Sequence, residues 1–320
     1  MSLPKSFQGR LSLPAVAAPM FLVSGPEIVI ATCKAGVVGT FPALNQRASE
    51  DFDDWLTEID EALTDVDAPY GVNLIVHRTN PRVKPDLEIC AKHKVPLIIT
   101  SLGAVADLVD TVHDYGGVVF HDVTTVRHAQ KAAEAGCDGL ILVCAGAGGH
   151  AGTLNPFALL PEISTFFDGT ILLAGALSDG RAIAAAQMLG ADLAYLGTRF
   201  IATAESEATE GFKQMIVDSA AKDIIHTPAI SGIPGSFLRP SIEAAGFDPD
   251  YLPEKGASQA EFGDNMQEER KAWRDVWSAG QGVGQIDDVP SVADLVTRLK
   301  REYDVAIADF NTATAVAAAQ

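Results

Sequence analysis

A single histidine stands within a glycine-rich stretch, Cys144-Ala-Gly-Ala-Gly-Gly-His-Ala-Gly152. Glycine lacks a Cβ, so the backbone amides of such a stretch can approach a ligand closely. An imidazole titrates close to neutral pH, which suits it to moving protons in a reaction. We therefore predict that His150 is an active-site acid/base. The alternative is a flexible glycine loop that carries an incidental histidine.

Two other glycine-containing segments follow apolar runs. They are Ala174-Gly-Ala-Leu-Ser-Asp-Gly180 and Gly197-Thr-Arg-Phe200. Backbone amides and a hydroxyl at the start of a helix can bind a phosphate dianion. The candidate phosphate ligands are Gly175, Ala176, Gly197 and Thr198. The alternative is that both segments are only tight turns.

Three further side chains lie at the ends of apolar runs. Met20 follows Ala18-Pro19 and could pack beside a flat ring, while the Asn73 amide could bond the edge of a heterocycle. Asp122 ends a third run. Any one of them could be a structural group, but their shared position favours a common site.

Other kinds of site lack their sequence signals. The four cysteines are far apart, the histidines lack metal-ligand spacing, and neither a G-x-S-x-G nor a Walker A sequence is present. We therefore predict no metal site. The spacing Gly146-x-Gly148-x-x-Ala151 resembles a dinucleotide fingerprint. However, Asn155-Pro156 is expected to interrupt the helix that such a fingerprint requires, which argues against a Rossmann fold.

The elements that must position these residues alternate regularly. Short apolar runs, typical of buried strands, alternate with segments of helical periodicity. Several of these helical segments end in a glycine, as left-handed helix caps do. The predicted strands are Ala15–Pro19, Gly36–Phe41, Tyr70–Ile75, Pro96–Ser101, Gly117–His121, Gly139–Val143, Thr170–Ala174 and Leu193–Gly197. The predicted helices between them are Pro26–Lys34, Glu50–Leu63, Ala104–Tyr115, Val126–Ala135 and Arg181–Leu189.

Eight strand–helix units within about 220 residues predict an α/β fold, a (β/α)8 TIM barrel. A doubly wound sheet is the competing fold, but it would usually carry its glycine fingerprint after the first strand. In a TIM barrel, functional residues lie at the carboxyl ends of the strands, where all the candidates above fall.

The last hundred residues have a different rhythm. We predict a barrel domain over 1–220 and a loop-rich, helical C-terminal region over 221–320 that packs on the barrel. Within that region we expect a surface loop over 227–240, helices over 267–277 and 291–303, and a frayed tail from residue 311. Together these segments would form a helical appendage that covers one end of the barrel.

Composition limits the partners. Hydrophobic residues make up 48% of the 320-residue chain, and the formal net charge is −19. So acidic a surface disfavours nucleic acid and anionic membranes, both of which need basic residues for binding. The sequence shows neither a signal-peptide pattern nor an apolar run long enough to span a membrane, so we expect a cytoplasmic protein.

Several motifs, taken in order, resemble the nitronate monooxygenases, formerly called 2-nitropropane dioxygenases. The likeness covers roughly residues 10–305. The motifs that carry it are Ala18-Pro-Met20, Gly71-Val-Asn73, Gly148-Gly-His-Ala-Gly152, Ala174-Gly175, Leu196-Gly-Thr-Arg-Phe200 and Trp277-Ser-Ala-Gly-Gln281.

This resemblance implies a TIM barrel that binds FMN noncovalently. It places Ala18, Pro19, Met20 and Asn73 beside the isoalloxazine and ribityl groups, Gly148 along the ring, and the four candidate phosphate ligands at the phosphate. His150 matches the catalytic histidine. Asp122 stands where a related NADH:quinone reductase has lysine, and the loop before His150 is richer in glycine than in the family pattern.

The implied reaction is the oxidation of an alkyl nitronate, or a nitroalkane, by O2 to a carbonyl compound and nitrite. An NAD(P)H-dependent flavin reductase acting on quinones or enoyl thioesters is the nearest alternative. A non-redox lyase or isomerase with a phosphorylated substrate is a more distant one. The partners expected are this small substrate and O2, and a homo-oligomer is compatible with the sequence.

Overall fold

The structure, a computed structural model, describes residues 2–77, 79–103, 106–252 and 275–318. Eight parallel strands pair in sequence order, and the last pairs with the first, so the sheet closes into a barrel. The (β/α)8 prediction is confirmed, and every predicted strand agrees with an observed one to within two residues at each end. The barrel strands are β1 (Ala15–Ala17), β2 (Val38–Pro42), β3 (Tyr70–Ile75), β4 (Leu97–Ser101), β5 (Val118–Val123), β6 (Gly139–Val143), β8 (Thr170–Ala174) and β9 (Leu193–Leu196).

Helices surround this barrel. Glycines at the ends of several of them have positive φ, as predicted for left-handed caps, with +85° at Gly36 and +114° at Gly190. The helices are α1 (Pro26–Lys34), α2 (Ser49–Ala62), α3 (Val83–His93), α4 (Ala106–Asp114), α5 (Val126–Glu134), α6 (Pro156–Ile163), α7 (Gly180–Leu189), α8 (Thr198–Ile201), α9 (Glu210–Asp218), α10 (Arg239–Ala244) and α11 (Val292–Ala318).

Four described helices of residues 1–220, α3, α6, α8 and α9, lie where the sequence predicted none. Asn155-Pro156 was expected to interrupt a helix, but it begins one. The Asn155 side chain accepts a hydrogen bond from the Phe157 amide (2.9 Å), and Pro156 occupies the first turn, where a missing N–H costs nothing. The closed barrel excludes the Rossmann fold by itself.

Side chains from alternate strand positions fill the barrel. Val16, Ile99 and Phe120 are fully buried in this interior cluster. Phe7, from a 3-10 turn at the N-terminus, packs against Phe120 with 5.9 Å between ring centroids, so it closes the lower end. The interior is therefore packed rather than open, and a ligand has room only at the upper end.

A small antiparallel sheet covers part of that upper end. It pairs β10 (Ile224–Thr227) with β11 (Gly235–Leu238), and β11 with the two-residue β7 (Gly149–His150). The prediction of a surface loop over 227–240 is therefore wrong for β11, whose four residues are buried. Glycine, proline and serine in this stretch concealed a strand that forms only by pairing with the distant β7.

The last helix, α11, packs on the side of the barrel rather than across its end, which corrects part of the predicted appendage. Val292, Leu295 and Leu299 pack against residues of α1, α7 and β9. A Cβ on Gly180 would lie 2.1 Å from the Leu299 carbonyl oxygen, so glycine is required where α7 and α11 touch. The helix continues to Ala318, so the predicted fraying from residue 311 is also wrong.

Most of the helix predicted over 267–277 lies outside the described residues. Among the helices that the structure describes, none is both long and apolar enough to cross a membrane.

Candidate active site

A cavity of about 1380 Å³ opens at the carboxyl ends of the barrel strands. Every residue that the sequence singled out for a site lines it, although these residues come from six separate loops and strand ends. They are Ala18, Pro19, Met20, Asn73, Asp122, Gly148, His150, Gly175, Ala176, Gly197 and Thr198.

His150 is held on a strand rather than on a free loop. It pairs with Gly235 of β11, and its neighbour Gly149 pairs with Ser236. The Gly149 amide donates to the Ser278 hydroxyl (2.7 Å), which itself donates to the Ser236 carbonyl (2.6 Å). The backbone that carries the imidazole is therefore fixed from two sides, as a positioned acid/base group requires.

His150 is half-buried in the cavity wall, and its Nε2 is out of contact with solvent. Burial lowers the pKa of His150 to about 4. The imidazole is therefore neutral at pH 7 in the ligand-free protein, the form that can accept a proton. A bound anion beside the ring would raise that pKa again.

The loops after β6 and β8 meet at one carbonyl group. The Gly146 oxygen accepts hydrogen bonds from the amides of Ala176 (3.2 Å) and Gln281 (2.8 Å). The Ala176 amide, a predicted phosphate donor, therefore already has an internal partner. Gly175 has a φ of +135°, and a Cβ on it would lie 2.8 Å from the Ala145 carbonyl oxygen, so this turn requires glycine.

The C-terminal segment closes the candidate phosphate site from above. The Gly280 amide donates to the Thr198 hydroxyl oxygen (2.8 Å), which leaves the hydroxyl hydrogen available to a ligand. Thr198 is the first residue of α8, where a backbone amide has no intrahelical partner. A Cβ on Gly148 would lie 2.9 Å from the Gly280 amide nitrogen, so only glycine allows this approach.

Ser178 adds a donor that the sequence did not single out. Its hydroxyl is buried, lines the cavity and has no hydrogen-bond partner within the described part of the chain. A Cβ on Gly282 would lie 2.4 Å from that hydroxyl oxygen. An unsatisfied buried hydroxyl is costly, so Ser178 is poised for an acceptor on a ligand.

Arg199 points away from this site. Its guanidinium is 2% exposed and pairs with Asp288 (3.0 Å), which also binds Arg298 (2.8 Å). Of the described residues that line the cavity, Lys131 on α5 is the one lysine or arginine. An anion beside β8 and β9 would therefore be held by amides and hydroxyls rather than by an ion pair.

A chain of hydrogen bonds crosses the upper layer of the barrel interior. Asn73 Nδ2 donates to the Ser101 hydroxyl (3.0 Å), which donates to Asp122 Oδ2 (2.6 Å). Asp122 Oδ1 is buried and has no hydrogen-bond partner within the described residues. Burial raises the pKa of Asp122 to about 6, and the bond from Ser101 opposes that change.

The first strand ends against the last. The Ala18 amide donates to the Leu196 carbonyl (2.9 Å), and Gly197 lies beside both Ala18 and Met20. Asn45 fixes the turn after Met20 through hydrogen bonds to the carbonyls of Met20 (3.1 Å) and Ser24 (2.7 Å). Met20 is thus placed on one wall of the cavity, next to the candidate phosphate site.

These features fit the FMN that the sequence led us to expect. Ser178 and Asp122 line the cavity, and each carries a buried oxygen that has no hydrogen-bond partner among the described residues. A Cβ on Gly148, Gly175 or Gly282 would collide with neighbouring atoms of the chain, so these glycines let the loops around the cavity pack closely. The polar cradle beside β8 and β9 suits a phosphate, and the chain from Asn73 to Asp122 suits the polar edge of a ring.

Sequence reasoning missed several lining residues. Ser101 ends a barrel strand and could have been found by the strand-end rule, and Ser178 stood inside a quoted motif. Gly280 also stood inside a quoted motif and Gly282 directly follows it, but only the folded chain brings these two glycines to the cradle. Tyr195, His121 and His128 also line the cavity.

Comparison with known proteins agrees with this geometry. A family model described as nitronate monooxygenase matches residues 79–302. A nitronate monooxygenase of Paraburkholderia phytofirmans is 27% identical over 92% of this chain and 93% of its own length.

Two other proteins extend the comparison. A (3aS,4S,5R,7aS)-5-hydroxy-7a-methyl-1-oxo-octahydro-1H-indene-4-carboxyl-CoA dehydrogenase of Rhodococcus jostii is 29% identical over 70% of this chain; the match spans 62% of that relative, less than two thirds of its length. The structure of FabK from Thermotoga maritima superposes with a TM-score of 0.80 at 24% identity, covering 95% of this chain and 96% of that one. That likeness supports the fold.

Proposed function

Because the chain belongs to the nitronate monooxygenase family of flavin-dependent oxidoreductases, we propose that it uses FMN to oxidise alkyl nitronates with O2 to carbonyl compounds and nitrite. The observation that carries this proposal is the convergence of His150 and a phosphate cradle on one cavity, in a chain that aligns with a nitronate monooxygenase over nearly its whole length.

FMN is proposed over FAD because the polar groups form one phosphate cradle. It consists of Thr198, Ser178 and the glycines around them. The sequence carries no second glycine fingerprint for an adenylate half. The cradle would hold the phosphate, and Met20 and the chain from Asn73 to Asp122 would face the ring.

When bound, FMN supplies the electron-transfer chemistry, and the protein supplies orientation and electrostatics. The neutral His150 can take the proton from the reacting carbon of a nitroalkane. After that transfer the imidazolium stabilises the anionic oxygens of the nitronate formed. A preformed nitronate has already lost the proton, so the neutral ring stabilises its oxygens by a hydrogen bond. The fixed backbone of β7 keeps the imidazole at the reacting centre.

The test is a product assay in air. With a primary or secondary alkyl nitronate and no NADH, nitrite and the carbonyl compound should appear in equal amounts. Added NADH should not increase the rate. Turnover that requires NADH would contradict the proposal and favour a flavin reductase.

The size of the cavity favours one second candidate, the oxidation or reduction of a bulky acyl thioester. About 1380 Å³ exceeds the roughly 300–1,000 Å³ of ordinary ligand pockets, and Lys131 could meet an anionic carrier group. One relative is named as a carboxyl-CoA dehydrogenase. Competitive inhibition of nitronate oxidation by acyl-CoA esters, absent with the free acids, would support this candidate.

A further inference from the structure

Asp122 stands at the end of the hydrogen-bond chain that crosses the barrel. Ile99 and Phe120 point into the interior, so alternation along β4 and β5 directs Ser101 and Asp122 to the same side, at the cavity floor. Each link has a defined direction, since the Asn73 amide and the Ser101 hydroxyl both donate towards the carboxyl group.

Only one oxygen of this carboxyl group receives a donor. Oδ2 accepts the Ser101 hydroxyl, whereas Oδ1 is buried and meets no hydrogen-bond partner among the described residues. A carboxylate so placed would be poorly stabilised. A proton on Oδ1 removes that cost and turns the group into a donor on a residue that lines the cavity.

Among the described residues, none that shifts the pKa of Asp122 carries a positive charge. Ser101 and Asn73 are neutral, and β6 contributes the aliphatic Ile141 and Val143. Burial raises the pKa of the Tyr195 phenol on β9, and the nearby carboxyl charge of Asp122 raises that pKa further.

The adjacent titratable group on β5 is His121. Its Nδ1 forms a hydrogen bond with the Thr100 hydroxyl (2.7 Å). Burial, and to a smaller extent His128, lowers the pKa of His121 to about 4, so its ring is neutral at pH 7. Neither histidine nor Tyr195 favours a charged Asp122; the Ser101 hydroxyl does, but burial outweighs it and raises the pKa of Asp122.

We propose that Asp122 is kept as a neutral carboxylic acid that donates a hydrogen bond from Oδ1 to a ring nitrogen or carbonyl oxygen of the bound flavin. The inference rests on the proposed function, because it requires a flavin in the cavity. Asp122 is then a cofactor-positioning donor, and it places no negative charge beside a ring that must accept electrons.

The first test compares FMN dissociation constants of the wild type and Asp122→Asn between pH 5 and 8. The asparagine keeps an N–H donor at every pH, whereas Asp122 in the flavin-free protein ionises as the pH rises. The wild-type constant should therefore increase relative to that of the variant by up to about tenfold per pH unit above pH 6, until the bound acid ionises too. Ionisation of the FMN phosphate affects both proteins equally and cancels in the ratio.

The second test is made on the wild type, so it does not depend on whether Asp122→Asn folds. The infrared spectrum of the flavin-loaded wild type at pH 7 should contain the C=O band of a buried protonated carboxyl group; where Asp122→Asn folds, that band should be missing from it. A wild type without the band, or a ratio of dissociation constants that is flat with pH while both proteins bind FMN, would overturn the inference and leave the proposed function intact. Failure of the wild type to bind FMN at any pH would overturn both.

Discussion

At the scale of single residues, the proposed reaction depends on His150, whose ring is neutral and whose backbone is fixed. Burial lowers the pKa of His150 to about 4, so the ligand-free protein presents a base at neutral pH rather than an imidazolium. Such a group can start the reaction of a neutral nitroalkane, whereas a preformed nitronate needs it only as a stabilising partner.

Replacing the His150 imidazole should lower the turnover of a nitroalkane more than that of a nitronate. For His150→Asn, we expect turnover of a nitroalkane to fall by about 10²–10⁴-fold, the usual contribution of a positioned acid/base group, with a smaller loss for the nitronate. Steady-state rates with both substrates are the measurement. His113→Asn, at an exposed histidine paired with Asp138, is the matched control and should keep full activity.

The same variant also tests the structural alternative. Bound flavin and the unfolding temperature should stay near wild-type values in His150→Asn. Loss of both would mean that this histidine holds the loop together, and equal full rates on both substrates would remove it from the mechanism.

At the scale of elements, four segments distant in sequence meet at the candidate phosphate site: those after β6, β8 and β9, and the C-terminal segment. The Gly146 carbonyl accepts hydrogen bonds from the loop after β8 and from the C-terminal segment. The Thr198 hydroxyl oxygen accepts one from the Gly280 amide. Thr198 therefore orders the C-terminal segment, and under the proposed function it would also offer its hydroxyl to the phosphate.

Removing that hydroxyl without changing the shape of the side chain tests both tasks. In Thr198→Val, the Gly280 amide loses its acceptor, and a ligand phosphate loses a donor worth roughly 1.5–3 kcal/mol. We expect the FMN dissociation constant to rise by about ten- to a hundredfold, measured by fluorescence titration. Thr198→Ser keeps the hydroxyl and should bind almost as the wild type does; equal affinity of both variants would place the phosphate elsewhere.

The elements also mark how far sequence reasoning reaches. Barrel strands and the glycine caps at Gly36 and Gly190 are local features, so periodicity and turn chemistry predicted them. The strand β11 and the approach of Gly280 to Thr198 depend on partners far along the chain, and no local pattern encodes them. The start of α6 at Pro156 was misread because proline ends some helices and begins others.

At the scale of the whole molecule, buried titratable groups should make stability depend on pH. Folding lowers the pKa values of His121 and His150 from 6.5 to about 4, so each contributes stability above pH 6.5 that is lost as the pH falls towards 4. Each loss is about 3 kcal/mol. Asp122 acts in the opposite direction: its pKa is raised from 3.8 to about 6, and acidification through that range restores about 3 kcal/mol.

Variants isolate these contributions from those of the many surface carboxylates. Between pH 7 and pH 4, the free energy of unfolding of flavin-free His150→Asn should fall by about 3 kcal/mol less than that of the wild type. For Asp122→Asn it should fall by about 3 kcal/mol more. The free energy of unfolding is measured by urea titration at both pH values. The same change between pH 7 and pH 4 in all three proteins would contradict the assigned burial.

The cofactor content is a property of the whole folded chain. Protein purified under native conditions should release FMN on heating, in a near-equimolar amount, because the described cradle offers one phosphate site. Chromatography of the supernatant distinguishes FMN from FAD. Recovery of FAD, or a colourless protein that does not take up added FMN, would contradict the assignment.

The most direct test of whether a nitronate reduces the bound flavin is anaerobic mixing of the flavin-loaded protein with an alkyl nitronate and, separately, with NADH. We expect the nitronate to bleach the visible flavin absorbance within the time of one turnover and NADH to leave it unchanged over the same interval. Added O2 should then restore the colour. Rapid bleaching by NADH together with no response to the nitronate would contradict the proposed function.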